Sequence, residues 1–295
     1  MQALQILNDV FGYNSFRSGQ EEIINSILDK KNILAVMPTG AGKSLCYQIP
    51  ALIFSRGTIV VSPLVALMDD QILTLKENGI AADRIHSHRS EEINKETLNN
   101  FKTGKIKILY LSPENLMSEK TLNELNNTDI AMFAIDEAHC ISKWGVSFRP
   151  QYEELSRLSK IYPDAVIAGF TATADKDTRE DIIHKLSNYN SKIFVQGFDR
   201  PNLSLAVEQK DDWKKQILIF LENKINESGI IYCLSRKQTE DVSEFLNKKN
   251  YRAIPYHAGQ ESSVRKNNQE KFMNENGIIM VATIAFGMGI DKSNI

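Results

Sequence analysis

No apolar run in the 295-residue chain approaches the roughly 18 residues that a membrane-spanning helix needs. Residues 1–16 also lack the basic patch followed by an apolar stretch that marks a signal peptide. We therefore expect a cytoplasmic protein that has no membrane partner.

Cysteine is scarce, because Cys46, Cys140 and Cys233 are the only three and stand far apart. That number excludes a disulfide framework and a paired-cysteine zinc site. The 15 glycines and 8 prolines are too few for a collagen-like or low-complexity chain. His86 and His88 have no third ligand nearby in sequence, so their spacing favours a surface loop over a metal site.

Neither sign of charge is in large excess, since 35 Lys and Arg stand against 37 Asp and Glu, a net charge of −2. The chain thus lacks the overall basic excess that is typical of nucleic-acid-binding proteins. A nucleic-acid partner stays open, because screening over about 8–10 Å lets a basic groove exist on a neutral protein. With 42% apolar residues and this length, we expect a packed core in two domains.

Short apolar segments alternate with segments of helical period along most of the chain. The predicted strands are Asn32–Met37, Thr58–Ser62, Lys107–Ser112, Ile130–Asp136, Ala165–Thr171, Gly229–Leu234, Arg252–His257 and Gly277–Thr283. The predicted helices include Ser44–Phe54, Leu64–Asn78, Gln151–Ile161, Lys176–Ser187, Arg236–Lys249 and Ser262–Asn274. This alternation predicts an α/β fold with parallel sheets covered on both faces. Turn-forming residues at 197–202 predict a linker between a first lobe, residues 1–200, and a second, residues 205–295.

The sequence MPTGAGKS, residues 37–44, follows a predicted strand and begins a predicted helix. Glycine lets backbone N–H groups approach phosphate oxygens, and the helix adds the positive end of its dipole. Lys43 would reach the terminal phosphates, and Ser44 would offer its hydroxyl to Mg²⁺. Met37 stands where the general pattern has glycine. The predicted phosphate-binding residues are Thr39, Gly40, Ala41, Gly42, Lys43 and Ser44.

An acidic pair, Asp136 and Glu137, ends another apolar strand and precedes His139. Asp136 would hold Mg²⁺ through water, and Glu137 would orient and deprotonate an attacking water. Such a pair alone is usually a solvated helix cap. Downstream of a phosphate loop it indicates a metal-assisted hydrolase, because a parallel sheet brings both motifs to its carboxyl edge.

In order and spacing, the motifs of this chain resemble those of the RecQ-family DNA helicases of superfamily 2, over essentially all 295 residues. Besides the phosphate loop and the acidic DEAH box, the matching segments are residues 11–20, 62–68, 111–114, 171–173, 198–202, 231–236, 256–259 and 281–291. The resemblance implies a P-loop NTPase with two RecA-like parallel-sheet lobes and with ATP and Mg²⁺ as cofactors. It also implies an enzyme that unwinds duplex DNA by 3′ to 5′ movement along single-stranded DNA, in recombination or repair.

The resemblance assigns the adenine of ATP to residues 11–20. The family residues that match Tyr13 and Arg17 sandwich the adenine ring, and the one that matches Gln20 hydrogen-bonds its edge. A carboxamide suits that edge, because it offers both a donor and an acceptor.

Four more residues take roles from the same resemblance, and His139 takes one from its place in the sequence. Ser62 and Pro63 match a motif that contacts the nucleic-acid backbone. Thr171 and Thr173 match the motif that couples hydrolysis to movement. His139 follows the acidic pair and would link the nucleotide to the second lobe.

Residues 140–150 resemble the aromatic-rich loop that senses single-stranded DNA in RecQ helicases. Trp144 and Phe148 would stack on bases, and Arg149 would pair with phosphate. The chain departs from the family where Val146 replaces a histidine and Ser147 replaces an aspartate. Both replaced groups are polar, which puts the coupling of DNA binding to the ATP site in question.

The family continues beyond the point that matches Ile295 with a strand, a motif that carries an arginine finger, a zinc module and a winged helix. We therefore expect a fragment with an incomplete second lobe, which binds Mg·ATP but hydrolyses it poorly. Two alternatives stay open: a non-catalytic ATP- or DNA-binding fragment, and another superfamily 2 ATPase such as an RNA helicase or restriction translocase. Protein partners are not predicted.

Overall fold

Seven parallel strands form the sheet of the first of two compact units, Met1–Arg200. The computed structural model describes residues 2–63, 65–86, 89–126, 128–142, 150–197, 203–283, 286, 292 and 294–295. The strands are β1 (Ile33–Val36), β2 (Gly57–Val61), β3 (Ala82–Ile85), β4 (Ile108–Leu111), β5 (Ile130–Ile135), β6 (Val166–Thr171) and β7 (Lys192–Val195). Their order across the sheet is β3-β4-β2-β5-β6-β1-β7, and every pairing is parallel.

Helices cover this sheet. They are α1 (Gln2–Asp9), α2 (Gln20–Leu28), α3 (Lys43–Ile53), α4 (Val65–Glu77), α5 (Glu91–Lys102), α6 (Pro113–Leu116), α7 (Glu119–Leu125), α8 (Pro150–Glu153), α9 (Leu158–Ile161) and α10 (Lys176–Ser187), with 3₁₀ turns at Ala138–Ile141 and Glu154–Arg157. Strand β1 shows why both faces are apolar: Ile33 and Ala35 pack into one buried core cluster, and Leu34 and Val36 pack into another. Successive side chains of a strand point to opposite faces, so a strand between two cores must be apolar throughout.

Three features of the first unit differ from the predictions. Strands β3 and β7 were not predicted from the sequence, and both lie at edges of the sheet. Their residues are mixed in polarity and mostly not buried, so they lack the apolar run that marks a central strand. The helix predicted over Gln151–Ile161 is broken into α8, a 3₁₀ turn and α9.

The second compact unit, Pro201–Ile295, contains three parallel strands among its described residues. These are β8 (Gly229–Tyr232), β9 (Arg252–Tyr256) and β10 (Ile278–Ala282), in the order β8-β10-β9. The helices are α11 (Trp213–Leu221), α12 (Arg236–Asn247) and α13 (Ser262–Asn274). The middle strand, β10, is buried at every residue, as its continuous apolar sequence predicts.

Within the described part of the chain, no helix combines the length and the apolar character needed to cross a bilayer. All three cysteines are free thiols. The described residues contain no group of three His, Cys, Asp or Glu side chains arranged to hold a metal ion. His88 lies outside the described residues.

Candidate active site

The phosphate loop connects the buried strand β1 to the first residue of α3, Lys43. Gly40 and Gly42 both have a left-handed backbone with φ of 79°, a conformation that glycine adopts at little cost. No side chain caps the N-terminus of α3, where Gly42 is the capping residue. Backbone N–H groups at such a helix start are suited to binding an anion. The loop therefore has the geometry that the sequence predicts for phosphate binding.

The Lys43 ammonium lies over the loop. Its Nζ donates to the backbone oxygen of Met37 at 3.1 Å and to that of Pro38 at 3.4 Å. Its positive charge favours the ionised forms of Asp136 and Glu137 and so lowers the pKa of each, although burial raises both pKa values by more. The phosphate-loop lysine and the acidic pair thus belong to one site, as predicted from the topology of a parallel sheet.

The three residues predicted to bind adenine differ in their surroundings. Tyr13 is exposed, whereas Gln20 is buried. Gln20 Nε2 donates to the backbone oxygens of Ala41 at 3.1 Å and Gly42 at 3.2 Å, and its Oε1 accepts from the Arg17 N–H at 2.8 Å. The Arg17 guanidinium donates to the Gly40 carbonyl. Arg17 and Gln20 therefore support the phosphate loop in this structure, and their contact with adenine stays a prediction.

The acidic pair follows β5, whose neighbours in the sheet are β2 and β6. Burial raises the pKa of Asp136 to about 6, and the adjacent Glu137 carboxylate adds to the increase, whereas Lys43 and His139 oppose it. Burial likewise raises the pKa of Glu137. Two desolvated carboxyl groups beside each other favour a site that binds a cation or a proton.

His139 connects the acidic box to the end of β6. Its Nδ1 lies 2.8 Å from Thr171 Oγ1 and 3.3 Å from Glu137 Oε2. The Thr171 hydroxyl donates to the backbone oxygen of Thr173 at 3.1 Å and accepts from the Thr173 N–H at 3.3 Å. Because the Thr171 hydroxyl proton is donated to Thr173, the Thr171 oxygen can only accept from His139. The imidazole proton therefore lies on Nδ1. The structure thus brings His139 together with the two threonines that are predicted to couple hydrolysis to movement.

Two groups of predicted DNA contacts have different outcomes. Ser62, at the end of β2, is 2% exposed, and its hydroxyl has no hydrogen-bond partner among the described residues. Pro63 is partly buried beside it. The predicted base- and phosphate-binding residues Trp144, Phe148 and Arg149 lie outside the described residues, as do Val146 and Ser147.

Tyr152 is a site residue that the sequence did not reveal. It lies in α8, is fully buried, and its hydroxyl donates to the backbone oxygen of Asp136 at 3.1 Å. A buried tyrosine requires a partner for its hydroxyl, but the sequence gives no sign of which group that is.

In the second unit, the predicted motifs 231–236 and 256–259 lie at the carboxyl ends of β8 and β9, whereas the third, 281–291, begins in β10 and lies mostly outside the described residues. The Ser235 hydroxyl caps α12 by accepting from the Gln238 N–H at 3.2 Å. His257 Nε2 lies 2.8 Å from Glu240 Oε1, while its Nδ1 accepts from the Gly259 N–H at 3.2 Å. These bonds orient the turn that follows β9.

Comparison with known proteins agrees with this geometry. Residues 17–182 match the family model described as DEAD/DEAH box helicase, and residues 209–295 match that of the helicase conserved C-terminal domain. The chain is 46% identical over 293 residues, 99% of its length, to "ATP-dependent DNA helicase RecQ" of Haemophilus influenzae, of which it covers 47%. It is 43% identical to the protein of the same name from Bacillus subtilis, covering all of this chain and 50% of the relative. The chain therefore spans about half the length of the curated relatives it matches.

Solved structures share the fold at low sequence identity. The DUF1998 helicase MrfA bound to DNA and AMPPNP superposes with a TM-score of 0.76 at 19% identity, covering 99% of this chain and 45% of MrfA. The helicase Lhr of Mycobacterium smegmatis, bound to ssDNA and AMP-PNP, superposes with a TM-score of 0.68 at 19% identity, covering 97% and 42%. The predicted α/β fold with RecA-like parallel-sheet lobes is thus confirmed. The phosphate loop, the acidic box and the matched sequences together show that the chain belongs to the DEAD/DEAH box helicase family, with RecQ helicases as its homologues along its whole length.

Proposed function

We propose that this chain supplies the ATP-hydrolysing part of a RecQ-type DNA helicase. The observation that carries the proposal is that the Lys43 ammonium, which bonds to the Met37 and Pro38 carbonyls of the phosphate loop, also interacts electrostatically with Asp136 and Glu137, although burial raises the pKa of both carboxyl groups. A phosphate-binding loop, a lysine and a carboxylate pair at one sheet edge are groups that enzymes use for phosphoryl transfer to water.

Magnesium fits the residues at this site. Ser44, the second residue of α3, offers a hydroxyl, and Asp136 offers a buried carboxylate whose pKa is raised by burial and by the neighbouring negative charge of Glu137. Hydroxyl, carboxylate and water oxygens are the ligands that Mg²⁺ prefers. We propose that Ser44 and Asp136 hold the ion, with Asp136 acting through water. A bound Mg²⁺ would offset the negative charge of the phosphates.

Other side chains of the site would bind the phosphates and activate the attacking water. Lys43 would leave the Met37 and Pro38 carbonyls and bind the terminal phosphates, while the N–H groups at the start of α3 bind phosphate oxygens. Glu137 would orient the attacking water and accept its proton, and burial favours this by raising its pKa toward neutrality. His139 would couple the protonation state of Glu137 to Thr171, because its Nδ1 lies near both side chains.

DNA is the proposed nucleic-acid partner, in single-stranded and duplex form. The names of the relatives from Haemophilus influenzae and Bacillus subtilis support DNA over RNA. Pro63 and residues 144, 148 and 149 are the proposed contacts with DNA. The proposed direction of movement along single-stranded DNA is 3′ to 5′. Ser62 joins them only through its backbone or after a local rearrangement, because its hydroxyl is buried.

The proposal is tested on the 295-residue chain by binding of a fluorescent ATP analogue and by single-turnover phosphate release. Lys43→Ala should abolish tight binding, since it removes the charge beside the phosphates. Glu137→Gln should bind normally and lose turnover, since an amide cannot accept the proton. Release should rise with single-stranded DNA more than with RNA of equal length. Normal hydrolysis by Glu137→Gln, or no nucleotide binding by the unmodified chain, would overturn the proposal.

A further inference from the structure

The backbone of Glu137 has an unusual conformation. Its φ is 49° and its ψ is 43°, in the left-handed region. A residue with a Cβ rarely adopts this conformation, which costs about 1–2 kcal/mol relative to the right-handed region. Something in the surrounding structure must therefore hold the chain at this point.

The peptide that joins Asp136 to Glu137 is held at both of its polar atoms. Its carbonyl accepts from the Tyr152 hydroxyl at 3.1 Å, and its N–H donates to Asp136 Oδ1 at 2.9 Å. The Asp136 N–H is bound in turn to the Val61 carbonyl of β2 at 2.9 Å. Rotation of this peptide, which a change of φ at Glu137 would require, breaks one or both of the first two bonds.

Tyr152 is itself fixed in place. It is fully buried among apolar residues that include Cys140 and Ile141 of the neighbouring 3₁₀ turn. The next residue, Glu153, lies 3.5 Å from Lys185 Nζ, and the same ammonium donates to the Ile141 carbonyl at 3.0 Å. Lys185 of α10 therefore joins α8 to the turn that follows the acidic box. The phenol approaches the Asp136 carbonyl from a rigid support.

We propose that Tyr152 is a positioning residue for hydrolysis, which holds the Asp136–Glu137 peptide so that the left-handed backbone directs the Glu137 carboxylate toward the attacking water. The inference rests on the proposed role of Glu137 as the base. Tyr152 would exert this effect through its hydrogen bond to the Asp136 carbonyl.

The test compares Tyr152→Phe with Tyr162→Phe in the 295-residue chain. Phenylalanine preserves the ring of Tyr152 and removes only its hydroxyl group. We expect kcat for ATP to fall about tenfold, with KM and the affinity for the fluorescent nucleotide changed less than twofold. The Tyr162 hydroxyl has no hydrogen-bond partner among the described residues, so Tyr162→Phe should leave kcat unchanged. An unchanged kcat in Tyr152→Phe, or an equal loss in both variants, would overturn the inference.

A double mutant separates positioning from general damage to the fold. If Tyr152 acts through Glu137, the residual single-turnover rate of Glu137→Gln should not fall further when Tyr152→Phe is added. A further tenfold loss would show that Tyr152 acts independently of Glu137 and would contradict the inference. A wild-type chain that binds no nucleotide would defeat the proposed function instead. The crystal structure of Tyr152→Phe then decides, because we expect the 136–137 peptide to rotate and φ of Glu137 to leave the left-handed region; an unmoved peptide would refute the positioning role.

Discussion

The imidazole Nδ1 of His139 lies 2.8 Å from the hydroxyl oxygen of Thr171, and this bond joins the end of the acidic box to the end of the adjacent strand β6. The same Nδ1 lies 3.3 Å from Glu137 Oε2, so a single N–H faces both the proposed base and the proposed coupling motif. A change in the charge of Glu137 would redistribute that proton between its two acceptors.

Thr171→Val should destabilise the first unit by about 1–3 kcal/mol, because it removes the nearer acceptor of the His139 Nδ1–H and the hydroxyl acceptor of the Thr173 N–H. It should also reduce DNA stimulation of hydrolysis more than nucleotide affinity. Urea unfolding and phosphate release measure the two effects. Thr58→Val is the matched control: Thr58 is buried in β2 and its hydroxyl has no partner among the described residues, so this change should be neutral or stabilising. Equal destabilisation by both variants would contradict the network.

Gln20→Ala should weaken ATP and GTP binding alike, because Nε2 supports the loop through the Ala41 and Gly42 carbonyls. Any adenine contact adds a further loss of about 1–3 kcal/mol for ATP alone, which narrows the preference for ATP. Competition between the two nucleotides separates these effects. Gln48→Ala is the control, since Gln48 is a buried amide of α3 that bonds to Gln71 rather than to the loop. Unchanged affinity for both nucleotides in Gln20→Ala would refute the role in loop support.

Asp136→Asn should make the chain more stable than the wild type at pH 7.5 in the absence of Mg²⁺ and nucleotide. Burial raises the pKa of Asp136 from 3.8 to about 6, so between these values the folded state holds a proton that the unfolded state releases. Wild-type stability therefore falls as pH rises from 4 to 6, by on the order of 2–3 kcal/mol, and the variant lacks this decline. The midpoints of urea unfolding of both proteins at pH 4, 5, 6 and 7.5 test this difference in stability. If the stability of both proteins changed equally with pH, the raised pKa of Asp136 would be contradicted.

The three thiols should differ in reactivity toward Ellman's reagent at pH 8. Burial raises the pKa of Cys46 to about 12, and Cys140 is also buried, whereas Cys233 is only partly buried. Since the thiolate is the reactive form, we expect one reactive thiol in the native chain and three in denaturant. Cys233→Ser should remove the native reaction. Modification of Cys46 under native conditions, located by mass spectrometry, would contradict the packing of α3.

The central strands and the motif-bearing loops could be predicted because each carries a continuous local signal. Helices Lys176–Ser187 and Ser262–Asn274 match their predicted bounds, and strand β5 differs by one residue at its end. Strands β3 and β7 could not be predicted, because edge strands with partly exposed side chains have no apolar run to mark them. Within the site, the phosphate loop has a local pattern. The bonds of Gln20 to that loop and of Tyr152 to Asp136 depend on tertiary placement, which a single sequence does not reveal.

The position of β1 inside its sheet constrains how the nascent chain can fold. Its neighbours are β6 and β7, and Asn32 beside β1 accepts from the Ile167 N–H, 135 residues further along. During synthesis, the strand that supports the phosphate loop has no partner until nearly the whole first unit has been translated. Pairings so distant in sequence form slowly, and they leave apolar strand edges exposed meanwhile. Ribosome-bound chains that stop before β6 should therefore bind no ATP and should recruit chaperones, although they already contain every residue of the loop.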